Sequence, residues 1–102
     1  MYDGDATLIY SVAENGEITE KEVETYAREK TVTRQEFLVS YQTGTDAVYV
    51  FEVSAEDYES TRHLDPNTKK PSYASQLKIE DALYDIKRHY GIGNQKIQLT
   101  CS

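Results

Sequence analysis

The sequence predicts an α+β fold, a ferredoxin-like βαββαβ sandwich with a four-stranded antiparallel sheet and two helices on one face. Strand-like and helix-like patterns follow one another in that order along the chain. The first and third strand-like segments are apolar on both faces, as the two central strands of that sandwich are. A chain of 102 residues can bury one core, so residues 1–102 are predicted to form a single domain.

The first strand is predicted over residues 6–13. Leu8, Tyr10 and Val12 alternate there with side chains that are themselves partly apolar, which indicates a strand covered on both faces. Asn15-Gly16 then breaks the pattern and ends the strand.

The first helix is predicted over residues 19–30. Thr19 and Glu22 have the three-residue spacing of a capping box, which is typical of a helix start. Apolar and long side chains then recur at helical spacing, at Val23, Tyr26, Ala27 and Lys30. Residues 31–33 return to β-forming types and lead into the next strand.

A hairpin over residues 37–54 is predicted to organise the sheet, with its turn at Gly44-Thr45-Asp46. Its first segment alternates in polarity, whereas its return segment, residues 47–53, is apolar at almost every position. This difference favours an edge strand paired with a buried one. Ser54, with Asp57 three positions later, is predicted to cap a short helical turn.

Residues 62–74 form a polar stretch interrupted by Pro66 and Pro71, and a loop of that length is typically functional or mobile. A second helix is predicted to follow and to end at Gly91, because its apolar residues share one face: Ile79, Ala82, Leu83, Ile86 and Tyr90. The last strand is predicted over residues 95–101, where Ile97, Leu99 and Cys101 alternate with polar residues.

Cysteine usage and hydropathy favour a cytoplasmic protein. Cys101 is the single cysteine, so no intramolecular disulfide is expected, and its place on the apolar side of the last strand predicts a buried, inert thiol. The chain does not start with a secretory signal pattern, and no apolar run approaches the roughly 20 residues that a membrane helix needs. We therefore expect no membrane association.

Charge is the most distinctive global property. The net charge is −7, and it is uneven: residues 1–59 hold fourteen acidic and four basic side chains, a net −10, whereas residues 60–102 carry +3. Such a field repels nucleic acid and anionic membranes and favours a protein partner with a basic surface. The alternative interpretation is that the charge serves solubility alone.

The sequence contains no motif of catalytic specificity, so neither an enzyme nor a cofactor is expected. Glu59, His63 and Asp65 are the best metal-like group, but such residues are common by chance in a polar loop. Asp81 and Asp85, one helical turn apart, are better explained by a solvated helix face than by acid-base catalysis. His89 is predicted to be a surface residue at a helix C-terminus.

The strand order also matches the RNA-recognition module, which stacks bases on aromatic side chains of its first and third strands. The first strand here lacks the usual aromatic at its second position, and the third lacks the basic-glycine start. With the net −10 over residues 1–59, direct RNA binding is not expected.

These features predict a small acidic protein-binding module, an inhibitor or adaptor that docks on a basic, nucleic-acid-handling partner, as phage or mobile-element antagonists do. The alternative is a regulatory or small-ligand-sensing domain that forms a homodimer through the open sheet face. The predicted partner-binding residues lie around the first helix and the short helical turn: Glu17, Glu20, Glu24, Glu29, Asp57 and Glu59.

Overall fold

The computed structural model describes residues 2–31, 49–93 and 95–102. In these ranges the protein is nearly all β, with eight strands and one short helix. The elements are β1 (Asp3–Glu14), β2 (Glu17–Lys30), β3 (Tyr49–Ser54), α1 (Ala55–Glu59), β4 (His63–Leu64), β5 (Pro71–Ser72), β6 (Gln76–Ile79), β7 (Ala82–Gly93) and β8 (Lys96–Cys101).

Six of these strands close into an antiparallel barrel in the order β1-β2-β3-β8-β7-β6, and β6 pairs back onto β1. The short strands β4 and β5 form a separate two-stranded sheet. The predicted ferredoxin-like α+β sandwich is therefore wrong, since the described chain has neither of its two long helices nor its open sheet. Closure lets the core be enclosed by the sheet alone, without a layer of helices.

The predicted helix over residues 19–30 is part of β2. It pairs with the whole length of β1, from Asp3 opposite Arg28 to Glu14 opposite Glu17. A two-residue turn joins the strands, and its residues Asn15 and Gly16 have positive φ angles of 52° and 81°, as a tight hairpin turn requires. The side chains follow a period of two, so Thr25 and Ala27 are buried while Tyr26 between them is exposed.

The second predicted helix is also wrong. Its residues form the end of β6 and most of β7, joined by a turn at Glu80-Asp81 in which Glu80 has a φ of 54°. Tyr84 and Ile86 are half-buried, whereas the residues beside them in the sequence are exposed. Gly91, predicted to end the helix, lies inside β7 opposite Ile97.

Other predicted elements are confirmed. The first strand lies within β1, the apolar third segment is the largely buried β3, and the last strand is β8. The Ser54 side chain caps α1 by accepting a hydrogen bond from the backbone N–H of Asp57. The predicted loop over residues 62–74 differs from the expectation, because the two-residue strands β4 and β5 form within it and pair as a hairpin. The remainder of the predicted 37–54 hairpin, residues 37–48, lies outside the described residues.

The core fills the barrel and extends to its helix. Leu8, Leu77 and Leu99 are fully buried between the strands, and α1 packs against β2, β3 and β8 to insert Tyr58 into the same cluster. The buried thiol of Cys101 lies in this cluster, as the sequence predicts. Across residues 2–31, 49–93 and 95–102, no helix combines the length and apolar character needed to cross a membrane.

The core predicts the effect of truncating Phe51, which is only 1% exposed and packs against Tyr84. Phe51→Ala should lower the free energy of unfolding by about 3 to 5 kcal/mol, because it removes a buried ring and leaves a cavity. Urea unfolding measures this change. Leu83→Ala is the matched control, since Leu83 is 55% exposed and its loss should cost under about 0.5 kcal/mol. A loss below about 1 kcal/mol for Phe51→Ala would contradict this packing.

Stability should also fall at alkaline pH. Burial raises the pKa of Cys101 to about 12, with a smaller contribution from the Asp85 carboxylate. Burial likewise raises the pKa of Tyr58 to about 12. Unfolded Cys and Tyr lose their protons near pH 8.5 and 10, so between about pH 9 and 12 the native state binds more protons than the unfolded state. The stabilisation is thus complete below the unfolded pKa values and is lost as pH rises.

Urea unfolding at about pH 8, 9.5 and 11 measures this loss. Cys101→Ala removes one of the two groups and should reduce the decline between about pH 8.5 and 9.5, where the unfolded Cys thiol loses its proton and unfolded Tyr still mostly keeps its own. Identical pH profiles for the variant and the parent protein would contradict a raised thiol pKa.

Candidate functional site

The outer face of β2 carries a row of three carboxylates, Glu20, Glu22 and Glu24, which we call the acidic ladder. All three are exposed, because alternate residues of a strand point to the same side. Successive members are about 6.6 to 6.8 Å apart along the strand, two residues at 3.3 to 3.4 Å each. Glu20 and Glu24 belong to the set predicted from sequence, whereas Glu22 between them does not, since helical spacing would have placed it elsewhere.

No charged side chain lies directly opposite a member of the ladder on β1. The β1 residues directly opposite them are Ser11, Ile9 and Thr7, all uncharged. Lys21 lies on the other face of β2 and pairs with Glu14 at 2.9 Å. Among the described residues, no ion pair involves a member of the ladder.

The structure does not bring the other predicted residues to this row. Glu17 lies at the hairpin end opposite Glu14. Glu29 is half-buried, and its Oε1 accepts a hydrogen bond from the backbone N–H of Tyr2 at 3.0 Å. The Asp57 carboxylate accepts a hydrogen bond from the Thr25 hydroxyl at 2.7 Å, which ties α1 to β2. Glu59 is exposed on α1.

A groove of about 520 Å³ lies next to the ladder. Its charged lining consists of four carboxylates and one ammonium group: Asp5, Glu22, Glu24, Glu80 and Lys78. Glu80 falls within the second predicted helix, whereas in the structure β6 pairs with β1 and so brings Glu80 in the β6–β7 turn to this side of the barrel. The acidic surface therefore extends from the ladder into a concave region.

A second concave site, which sequence reasoning missed, lies beside α1. We call it the His89 cleft; it has a volume of about 380 Å³. Its lining includes aromatic, glycine and charged residues: Tyr58, Tyr73, His89, Gly91, Gly93, Glu59 and Lys96.

The cleft is open because β7 lacks side chains there. Gly91 and Gly93 lie opposite Ile97 and Lys96 of β8, and a Cβ added to either glycine would meet no atom within 4 Å. Gly93 also has a φ of 85°, which glycine adopts readily and other residues rarely do. The end of β7 is exposed even though the strand is paired, so this part of the barrel wall borders a solvent-filled space.

Three aromatic rings form one side of the cleft. Tyr58 stacks on Tyr73 with centroids 5.1 Å apart, and the His89 ring lies 5.0 Å from Tyr58 and 5.5 Å from Tyr73. The Tyr58 hydroxyl is 2.9 Å from His89 Nδ1. Burial raises the pKa of Tyr58 to about 12, so this phenol keeps its hydrogen at neutral pH and is able to donate it to Nδ1. We assign this direction to the bond, which places the ring N–H of His89 on Nε2.

This chain resembles none of the proteins with which it was compared. It matches no protein-family model, no curated protein and no solved structure. A functional assignment therefore depends on the two surfaces described above.

The remaining candidate residues have local structural roles. The Asp65 Oδ1 accepts hydrogen bonds from the backbone N–H groups of Asn67 and Thr68, which lower the pKa of this carboxyl group. His63 stacks on Tyr10 at 4.8 Å. No cluster of three or more His, Cys, Asp or Glu side chains suited to a metal ion occurs in the described ranges, so Glu59, His63 and Asp65 do not form one there.

Asp81 and Asp85 are not one helical turn apart, because both belong to the β6–β7 hairpin. Asp81 lies in the turn, whereas Asp85 is on the strand and its Oδ1 accepts a hydrogen bond from Gln76 Nε2 at 3.2 Å. The predicted helix face shared by these two carboxylates is therefore wrong. The predicted position of His89 at a helix C-terminus is also wrong, because His89 lies on β7.

The Tyr58–His89 hydrogen bond predicts the effect of removing one hydroxyl. Tyr58→Phe keeps the ring but leaves Nδ1 without its donor, so the His89 imidazole should lose its preference for the tautomer protonated at Nε2. The ¹⁵N chemical shifts of the two ring nitrogens measure this redistribution, and urea unfolding should show a loss of about 1 kcal/mol. Tyr73→Phe is the matched control and should leave both shifts unchanged. Unaltered His89 shifts in Tyr58→Phe would contradict the assigned donor.

Proposed function

We propose that this protein is a small acidic protein-binding module, an inhibitor or adaptor that docks the outer face of β2 on a basic surface of a partner protein. The observation that carries the proposal is the acidic ladder, a row of three exposed carboxylates with uncharged cross-strand neighbours. Three like charges along one strand repel one another, and a cationic partner surface relieves that repulsion.

The geometry favours a partner that handles nucleic acid. A strand within a barrel holds the backbone of these residues at regular intervals, so little backbone freedom is lost when a partner binds them. The three exposed carboxylates form a row of negative charge, as the phosphates of a nucleic-acid backbone do. Lysine and arginine residues placed to bind a phosphate backbone would meet a comparable row of negative charge, as they do with phage or mobile-element antagonists.

The proposed contact surface differs from the predicted set. Glu20 and Glu24 stay, and Glu22 and the groove residues Asp5 and Glu80 join them. Glu29 and Asp57 leave it, because their carboxylates are hydrogen-bonded to Tyr2 and Thr25 within the fold. The same negative field supports the absence of direct nucleic-acid or membrane binding, and the free thiol of Cys101 supports a cytoplasmic setting.

The alternative, a regulatory or small-ligand-sensing domain, has lost part of its structural basis. Its homodimer was to form through the open face of a sandwich, and the described strands close into a barrel instead. The His89 cleft is the feature that favours the ligand-binding part of this alternative, and it is a separate surface from the ladder.

Charge reversal tests the docking proposal on the partner recovered by affinity pulldown from the native cell. Reversing Glu20, Glu22 and Glu24 to lysine should slow association by about tenfold or more, measured by surface plasmon resonance at about 50 mM salt. Raising the salt to about 300 mM should weaken binding of the parent protein and affect the variant less, because the attraction is screened.

The matched control reverses Glu17, Glu56 and Glu59, which are also exposed and change the net charge equally but lie outside the ladder. This control should slow association by less than about threefold. Equal association rates for the two triple variants would mean that the ladder is not the contact surface and that the charge serves solubility.

A further inference from the structure

The His89 cleft combines a concave, open shape with hydrogen-bonding groups that lack partners among the described residues. At about 380 Å³ it falls in the lower part of the range typical of small-molecule sites, enough for one ring and a polar head group. Gly91 is essential to this shape, since a side chain at that position would project into open space in the cleft.

The fold supplies a hydrogen-bond partner for one ring nitrogen of His89, whereas the other ring nitrogen is available to a ligand. The Tyr58 hydroxyl occupies Nδ1, and with the phenol as the assigned donor of this bond the ring N–H is on Nε2. Among the described residues no hydrogen bond reaches Nε2. The cleft therefore contains one oriented N–H donor without an acceptor.

Two opposite charges also line the cleft without pairing with each other. Lys96 contributes an ammonium group from the start of β8, and Glu59 contributes a carboxylate from the end of α1. Within the described part of the chain, neither takes part in an ion pair. A ligand with both a carboxylate and an ammonium group would satisfy Lys96, Nε2–H and Glu59 together. A singly charged ligand would leave either Lys96 or Glu59 without an oppositely charged partner.

The remaining lining favours an aromatic ring. The Tyr58, Tyr73 and His89 rings already pack in stacked and edge-on arrangements, and Ile97 and Ala55 add apolar surface. A further ring placed against this cluster would gain aromatic contact as well as burial.

We propose that the His89 cleft binds a small zwitterion that carries an aromatic ring, the chemistry of an aromatic α-amino acid. The carboxylate is bound by Lys96 and His89 Nε2–H, the ammonium group by Glu59, and the ring by the Tyr58–Tyr73–His89 cluster. This site is independent of the acidic ladder, and its occupation does not require the docking function proposed above.

Titration of the whole protein with L-phenylalanine, followed by ¹⁵N-¹H NMR, tests the proposal. Saturable shifts should appear at Tyr73, His89, Gly91 and Lys96 below about 10 mM ligand. Three further probes each remove one feature: L-alanine lacks the ring, 3-phenylpropanoate lacks the ammonium group, and 2-phenylethylamine lacks the carboxylate. Each of these probes should bind at least about tenfold more weakly than L-phenylalanine.

Variants locate the binding. Gly91→Val should abolish the shifts by filling the cleft, and the free space around Gly91 indicates that the strand accepts this side chain. Ile92→Val, on the next residue of β7 and outside the lining, is its matched control and should bind as the parent protein does. Lys96→Gln and Glu59→Gln, both at exposed positions, should each weaken binding about tenfold.

Three results would overturn the proposal. They are the absence of saturable shifts with L-phenylalanine, unchanged binding in Gly91→Val, and equal binding of L-phenylalanine and either singly charged analogue. Dispersed spectra for every variant show that a loss of binding is not a loss of fold. Because ladder charge reversal leaves the cleft intact, that triple variant should still bind L-phenylalanine, which separates this test from the docking test.

Discussion

The pairing of β1 with β2 is the constraint on which the rest of the structure depends. It runs from the Asp3–Arg28 pair to the Glu14–Glu17 pair and is fixed by the two-residue turn at Asn15-Gly16. Because side chains alternate along a strand, this single register decides which residues of both strands face the core. Leu8 and Ala27 face inward as a result, and the three carboxylates of the ladder face outward. A shift by one residue would bury the glutamates and expose the core.

Closure of the sheet determines where the concave surfaces form. The return of β6 onto β1 places Lys78 and Glu80 across β1 from β2, where they line the acidic groove together with Glu22 and Glu24. At the other site, α1 anchors Tyr58 in the core, and the Tyr58 hydroxyl in turn fixes the His89 imidazole. The packing that buries Tyr58 therefore also fixes the orientation of the His89 ring in the cleft. The barrel thus presents a charged face with its groove on β1, β2 and β6, and a mixed aromatic cleft beside α1, β7 and β8.

The two surfaces suit different kinds of recognition. The ladder consists of exposed charges in water, where each pair is worth little but the summed field affects association rates over a Debye length. The cleft is smaller and partly apolar, and its polar groups are few and directed, which is the usual composition of a small-molecule site. A protein of 102 residues has room for both because its barrel needs no covering layer of helices in the described ranges.

The sequence by itself determined the features that depend on near neighbours. The break at Asn15-Gly16, the Ser54 cap of α1, the apolar segments of β1, β3 and β8 and the burial of Cys101 all follow from local pattern, and the net charge over residues 1–59 follows from composition. Only the tertiary structure decided the state of residues 19–30 and 79–90. Val23 and Ala27, like Ile86 and Tyr90, are four residues apart, and a spacing of four fits both one helical face and one strand face.

Local signals such as the Thr19–Glu22 spacing and the many glutamate and lysine residues then favoured a helix. The observed strands are instead stabilised by pairing with strands distant in sequence, and a local sequence pattern carries no information on such pairing. The two sites follow the same division. The acidic residues could be predicted from the sequence, but their grouping into a row, and the meeting of Tyr58, Tyr73 and His89, depend on strand pairing and barrel closure.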